Sequence, residues 1–127
     1  METYRYGEVT STNDLAKDLA RQGIGSAVVI AESQSVGRGR RGRSFLSPAG
    51  RGLYVSVLWR PLCSAEDLLP LTAMAAAAAA MAIEKATGAQ VGIKWPNDVV
   101  IGGKKCAGIL CEMGFAPDGS PYVVPGV

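Results

Sequence analysis

Gly37-Arg38-Gly39-Arg40-Arg41-Gly42-Arg43, running on into Ser44-Phe45-Leu46-Ser47-Pro48, is where two fold classes part company. The G-x-G-x-x-G spacing matches the phosphate turn of a dinucleotide-binding βαβ unit, but that turn must lead into an amphipathic helix. Here it leads into Phe45-Leu46-Ser47-Pro48, which has no helical period, so a doubly wound fold is not expected. The stretch is read as a loop, with four arginines and three glycines in seven residues. Glycines remove Cβ atoms and permit positive φ, so successive N–H groups can converge on an anion. Arginine forks suit carboxylate and phosphate oxygens. A substrate carrying both groups, such as an acyl-adenylate, fits this chemistry; a solvated basic loop or a nucleic-acid contact fits the same composition.

The charge balance favours a local site. The 127 residues carry a formal net charge of +2, and leaving out Arg38, Arg40, Arg41 and Arg43 takes this to −2. The positive character is confined to one loop, which argues against broad nucleic-acid binding. With no histidine in the chain, Ser-His-Asp and Cys-His catalysis and histidine-ligated metals are excluded. Cys63, Cys106 and Cys111 are an odd set without C-x-x-C spacing, read as buried free thiols rather than a disulfide or zinc site. Met1-Glu2-Thr3-Tyr4-Arg5 shows no apolar leader, so a cytoplasmic, non-membrane protein is expected.

Outward from the loop, residues 4–9 read as a strand, followed by Ser11-Thr12-Asn13. Ser11 or Thr12 can cap a helix over residues 13–22, with Asp14 in its first turn and Gly23 ending it. Free N–H groups at that helix start also suit a polar ligand. Residues 26–31 read as a buried strand, from which Glu32-Ser33-Gln34 leads into the loop. Residues 53–59 form the clearest strand. Ser64-Ala65-Glu66-Asp67 resembles a capping box. Residues 70–87, including six consecutive alanines, are read as a core helix ~27 Å long, with Gly88 at its C-terminal cap. Residues 90–95 form another strand, and residues 99–101 pair through Gly102-Gly103 with a return strand over 104–112. A last strand begins at Tyr122. Two helices and about six strands, several in hairpins, imply an α+β fold: a mixed, largely antiparallel sheet with helices on one face.

Lys94 and Lys105 stand in otherwise apolar strands flanking Trp95-Pro96-Asn97-Asp98. An unpaired ammonium is costly to bury, so each either snorkels to the surface or serves an anion. With Asn97 and Asp98 beside them they form a candidate phosphate and Mg²⁺ corner. Pro96-Asn97-Asp98 also reads simply as a turn.

Taken together, Ser11-Thr12-Asn13, Glu32-Ser33-Gln34, the loop at residues 37–43, Ser47-Pro48, Leu53-Tyr54-Val55-Ser56, Lys94-Trp95-Pro96-Asn97-Asp98 and Lys105-Cys106-Ala107-Gly108-Ile109-Leu110 closely resemble the catalytic domain of biotin protein ligases. These motifs occur in the family's order over nearly the whole chain. The resemblance implies a fold like that of class II aminoacyl-tRNA synthetases. It also implies a two-step reaction: biotin and MgATP give biotinyl-5′-AMP, and a lysine of a biotin carboxyl carrier protein then takes the biotin. On that basis the biotin residues are Ser11, Thr12, Asn13, Gln34, Gly37, Arg38, Gly39, Arg40, Lys105 and Gly108. The nucleotide residues are Arg40, Arg41, Arg43, Lys94, Trp95, Asn97 and Asp98, with Asp98 also a Mg²⁺ ligand. Arg38, Arg40, Lys94 and Lys105 are the catalytic set. No zinc, haem or flavin is implied.

This chain departs from the family pattern in three places. Phe45 stands where many members carry tryptophan. Residues 1–127 lack a helix-turn-helix segment, so no DNA partner is expected; a homodimer through a sheet edge is. The chain ends at Val124-Pro125-Gly126-Val127, short of the Gly-x-Gly-x-Asn segment and C-terminal β-barrel of longer members, and Pro125 is unusual for a central strand. A truncated, non-catalytic biotin-binding remnant and an RNA-binding module using the Arg/Gly loop are the competing readings. Lipoate ligases share the architecture but lack this motif pair.

Overall fold

The computed structural model describes residues 1–44, 46–62 and 64–127. The readings of Phe45 as an apolar ring and Cys63 as a buried thiol fall outside the described residues. Among those residues the order is β1 (Glu2–Val9), α1 (Thr12–Arg21), β2 (Ala27–Gln34), β3 (Tyr54–Leu58), α2 (Leu68–Thr87), β4 (Gly92–Lys94), β5 (Asp98–Ile101), β6 (Lys104–Gly108), β7 (Leu110–Phe115) and β8 (Pro121–Gly126). Short 3₁₀ turns occupy Arg40–Gly42 and Ala65–Asp67.

The strands form two sheets, where the sequence reading expected one. A five-stranded sheet runs β1-β2-β3-β8-β7, and a three-stranded sheet runs β4-β5-β6. Only β1 and β2 pair in parallel; the other pairings are antiparallel. The fold is thus α+β with a mostly antiparallel sheet, as expected. The return strand expected over 104–112 is broken at Ile109. There the chain leaves the three-stranded sheet as β6 and joins the five-stranded one as β7. Ile109 is 2% exposed, and its N–H donates to the Asn97 carbonyl at 2.8 Å, so the crossing point is packed and satisfied.

Helix α1 begins where the sequence says it should. Ser11 is the N-cap, its hydroxyl accepting from the Asp14 N–H, and Gly23 leaves the helix at φ 89°. Thr12, Asn13, Ala16, Leu19 and Ala20 are its buried residues. Ala16, Leu19 and Ala20 meet Ala27, Val29, Leu58 and Val124 in the main core, where each fully buried Val or Leu contributes roughly 1.5–3 kcal/mol. This positions the polar start of α1 above the middle strands.

Helix α2 corrects the sequence reading. Its capping box at Ser64 and Asp67 forms, and Gly88 takes φ 73° at the C-cap. It is not a core helix, however. Only Thr72, Ala76 and Ala80 are buried, on one stripe, with Ala76 packed against Ile109 and Cys111, while Met74 and Met81 are 53% and 68% exposed. Residues Ala65–Thr87 are long and apolar enough to cross a bilayer by length and composition. In this fold their buried stripe packs on β7 and the three-stranded sheet.

Pro125 shows how a proline is accommodated in an inner strand. Val55 and Val127 exchange backbone hydrogen bonds in both directions, as do Trp59 and Val123. That register places Pro125 opposite Val57, midway between the two bonded pairs. Having no N–H, proline cannot donate to Val57 at this rung, although its carbonyl can still accept; the strands are registered by Ser56 opposite Gly126 and by the flanking Val55–Val127 and Trp59–Val123 pairs. On its other side β8 pairs with β7 over six positions.

Candidate functional site

A cavity of about 260 Å³ opens where the start of α1, the end of β2, the Arg/Gly loop, β6 and the end of β8 converge. That is near the lower end for small-molecule sites. Of the residues expected to hold biotin, Ser11, Thr12, Asn13, Gln34, Arg38, Gly39 and Gly108 line it. Gly37, Arg40 and Lys105 do not. Of the expected nucleotide residues Asn97 lines it, whereas Arg41, Arg43, Lys94, Trp95 and Asp98 stand outside its wall. Residues not singled out from sequence also contribute, among them Arg51, Tyr54, Cys106 and Val127.

The wall is fixed by a continuous polar network. Gln34 Oε1 accepts from the Thr12 N–H at 2.8 Å and from its hydroxyl at 3.2 Å, and Gln34 Nε2 donates to Ser47 Oγ at 3.0 Å. The buried Ser56 hydroxyl reaches Thr12 Oγ1 at 2.7 Å and Asn13 Oδ1 at 2.5 Å. Asn13 Nδ2 donates to the Leu110 carbonyl at 3.3 Å and to Glu112 Oε1 at 2.9 Å. Buried polar groups must be paired to avoid a desolvation penalty, and these pairings hold each side chain in one orientation. Gln34 belongs to β2 itself rather than to a segment leaving it.

One wall glycine is required by close approach: a Cβ on Gly126 would run into the buried Asn13 amide, whereas one on Gly108 would meet only the movable end of the exposed Lys105 side chain.

Below the network sits a charge cluster. Glu112 Oε2 accepts from Lys17 Nζ at 2.5 Å, and Oε1 from Arg38 Nη2 at 2.7 Å. Arg38 Nη1 also donates to Asp14 Oδ2 at 3.0 Å. Burial pushes the Glu112 carboxyl up, but hydrogen bonds from Lys17, Asn13 and Arg38 outweigh it and bring the pKa down to about 2. The Asp14 hydrogen bond, opposed by burial and aided by Glu112, raises the Arg38 guanidinium above its ordinary value. Sequence reasoning missed Glu112 and Lys17, and quoted Ser56 in a motif without giving it a role in the site. The signals available were a carboxylate in β7 and a hydroxyl midway along an apolar strand.

The loop closes on itself. The Gly39 N–H donates to the Arg43 carbonyl at 2.6 Å, Arg38 bridges Ser44, and Arg41 takes φ 59°, ψ 35°. That left-handed conformation costs a non-glycine residue roughly 1–2 kcal/mol. Arg41 and Arg43 are exposed, while Arg40 Nη1 lies 3.4 Å from Asn97 Oδ1. Arg40 and Arg41 also border a second cavity of about 420 Å³ against the start of α2.

Around the Trp-Pro-Asn-Asp corner, the Trp95–Pro96 peptide is cis, and Lys94, Trp95 and Lys105 are exposed. Neither lysine needs the burial compensation that its apolar neighbours implied. Lys105 Nζ pairs with Asp98 Oδ1 at 3.2 Å. Asp98 therefore already faces a cation, and no group of three acidic or thiol side chains suited to a metal occurs among the described residues. The expected Mg²⁺ ligand does not by itself fit a metal site. Cys106 is exposed on the cavity wall, contrary to its reading as a buried thiol, while Cys111 is buried.

Comparison with known proteins places this geometry in context. The profile of the Biotin/lipoate A/B protein ligase family matches residues 6–116. The chain is 44% identical over 119 residues to the biotin–[acetyl-CoA-carboxylase] ligase of Paracoccus denitrificans, covering 92% of this chain and 49% of that one. It is 39% identical over 120 residues to the bifunctional ligase/repressor BirA of Bacillus subtilis (strain 168), covering 94% of this chain and 37% of the relative. Among solved structures, the biotin protein ligase from Aquifex aeolicus in complex with biotin and ATP superposes with a TM-score of 0.79 at 33% identity, over 99% of this chain and 51% of that one. The ligase from Leishmania major in complex with biotin gives 0.78 at 32% identity, over 98% and 54%. The chain thus spans about half or less of the length of these relatives. A matched segment covering most of the sequence, on a fold shared with these ligases, decides the assignment: the chain belongs to the Biotin/lipoate A/B protein ligase family.

Proposed function

We propose that the chain binds biotin in the cavity beside α1 and, with ATP, converts it to biotinyl-5′-AMP. The biotin then passes to a lysine of a biotin carboxyl carrier protein. The observation that carries this reading is the convergence of Ser11, Thr12, Asn13, Gln34, Arg38, Gly39 and Gly108, distant in sequence, on one cavity. Hydroxyls and amides of this kind suit the ureido head of biotin, and the apolar parts of Leu46, Pro48 and Ile109 suit its rings and chain.

The chemistry needs no protein nucleophile. A carboxylate oxygen of biotin attacks the α-phosphorus, the bond to the bridging oxygen breaks, and pyrophosphate leaves. The lysine amine then attacks the carboxyl carbon of the mixed anhydride, and AMP departs. Bringing two anions together is opposed by repulsion, which Arg40, Lys94 and Lys105 relieve. Arg41, Arg43, Trp95, Asn97 and Asp98 complete the nucleotide side, and Gly37 and Arg38 begin the loop that covers the product. Asp98, which pairs with Lys105, would hold Mg²⁺ together with the nucleotide's phosphates, and the metal would offset their charge. A closed loop keeps the anhydride from water. Pairing with a second copy through a sheet edge belongs to the same reading.

Mass spectrometry of the chain with biotin and MgATP tests this directly. Biotinyl-5′-AMP is the expected product. Biotin binding without adenylate would leave only the pocket reading standing, and neither would overturn both.

A further inference from the structure

We infer that Glu112 is a positioning residue that holds the loop at residues 37–43 beside the cavity, acting through Arg38. The four loop arginines are alike in sequence but not in structure. Arg41 and Arg43 are exposed, and Arg40 reaches Asn97 at 3.4 Å. Arg38 alone among them forms ion pairs among the described residues, with Glu112 at 2.7 Å and Asp14 at 2.9 Å. A guanidinium fork bound on both sides by carboxylates is held in direction as well as distance.

Glu112 is suited to the task by what else it holds. Its two oxygens join the base of the loop, through Arg38, to two positions on α1, Asn13 in the cavity wall and Lys17 a turn further on. Asn13 and Arg38 share the oxygen Oε1, so the wall and the loop are set by one atom. The loop's own closure starts at this tether, with Arg38 bridging Ser44 and Gly39 bonded to Arg43. Arg38 therefore works on the protein, and Arg40, Arg41 and Arg43 are left to work on the ligand. This assignment rests on the biotin reading only for its consequence, since the tether is made within the chain itself.

Hydrogen–deuterium exchange over residues 37–43 of the full chain, without ligand, tests the tether. Comparison runs across wild type, Glu112→Gln, Arg38→Gln and the double variant, with Lys17→Met as the control for the α1 arm. Each single loop-side change raises exchange about tenfold, and the double raises it no further than the larger single, because the two residues act as one unit. Lys17→Met leaves the loop within about twofold of wild type. Isothermal titration then shows weaker biotin binding in Glu112→Gln and Arg38→Gln, with partial recovery in Arg38→Lys. Wild-type exchange rates in Arg38→Gln, or effects that multiply in the double variant, would overturn the tether; Arg38→Gln decides the matter even if Glu112→Gln does not fold. A wild-type chain that binds no biotin would overturn the proposed function while leaving the exchange result to judge the tether.

Discussion

Replacing Glu112 with glutamine should produce a stability loss that depends on pH in a defined way. In the folded chain the carboxyl titrates at about 2 instead of the ordinary 4.5. At roughly 1.4 kcal/mol per pKa unit, the ionised side chain contributes about 3 kcal/mol. The side chain is 24% exposed, so solvent screening takes away only part of this. Because the folded pKa is depressed, the contribution is fully present above 4.5, falls as pH drops below it, and is gone near 2. Urea unfolding of both proteins at closely spaced pH values isolates the effect, since other carboxylates titrate equally in each. The stability gap should be widest near neutral pH and shrink by about 3 kcal/mol towards pH 2. A gap that stays constant across that range would show that Glu112 is not held ionised by Lys17, Asn13 and Arg38, and the cluster would have to be redrawn.

Gly126→Ala drives a methyl into the buried Asn13 amide, and displacing Asn13 strands buried partners at roughly 1–3 kcal/mol. Biotin affinity by titration calorimetry should fall about tenfold or more. Arg40→Gly should let biotinyl-5′-AMP escape, seen as a shorter bound lifetime and as labelling of bystander lysines; a lifetime equal to wild type would remove Arg40 from closure. Ala76→Leu overfills the 0%-exposed contact with Ile109 and Cys111, costing roughly 1–3 kcal/mol, whereas Met81→Lys on the open face should stay within about 0.5 kcal/mol. A thiol reagent should modify Cys106 quickly and Cys111 slowly, since burial pushes the Cys111 thiol up despite a hydrogen bond with Thr72. Biotin should slow the reaction at Cys106, which lines the cavity.

Local signals served the sequence reading well. The cap at Ser11, the capping box at Ser64, the C-cap at Gly88 and the hairpin at Gly102-Gly103 are short-range devices, and each stands where its residues indicate. The break at Ile109 was not legible, because residues 104–112 hold no proline or turn dipeptide to mark a change of sheet. Helix α2 misled for a related reason: alanine is apolar enough to look buried and small enough to stand in water without penalty. In the site, family motifs brought seven of the expected biotin residues to one cavity. What they could not convey is which arginine serves the protein and which the ligand. That distinction lies in Glu112 and Asp14, far from Arg38 along the chain and beside it only after folding.

The donor missing at Pro125 has a consequence for the sheet as a whole. It leaves the β3–β8 boundary the most sparsely paired in the five-stranded sheet, held by Ser56–Gly126 and the flanking Val55–Val127 and Trp59–Val123 pairs. Helix α1 lies across that boundary, touching β2 and β3 on one side and β8 on the other. The mouth of the cavity sits at the same place, with Tyr54 on one side and Gly126 and Val127 on the other. The thinnest pairing in the sheet therefore runs beside the cavity, and α1 spans it.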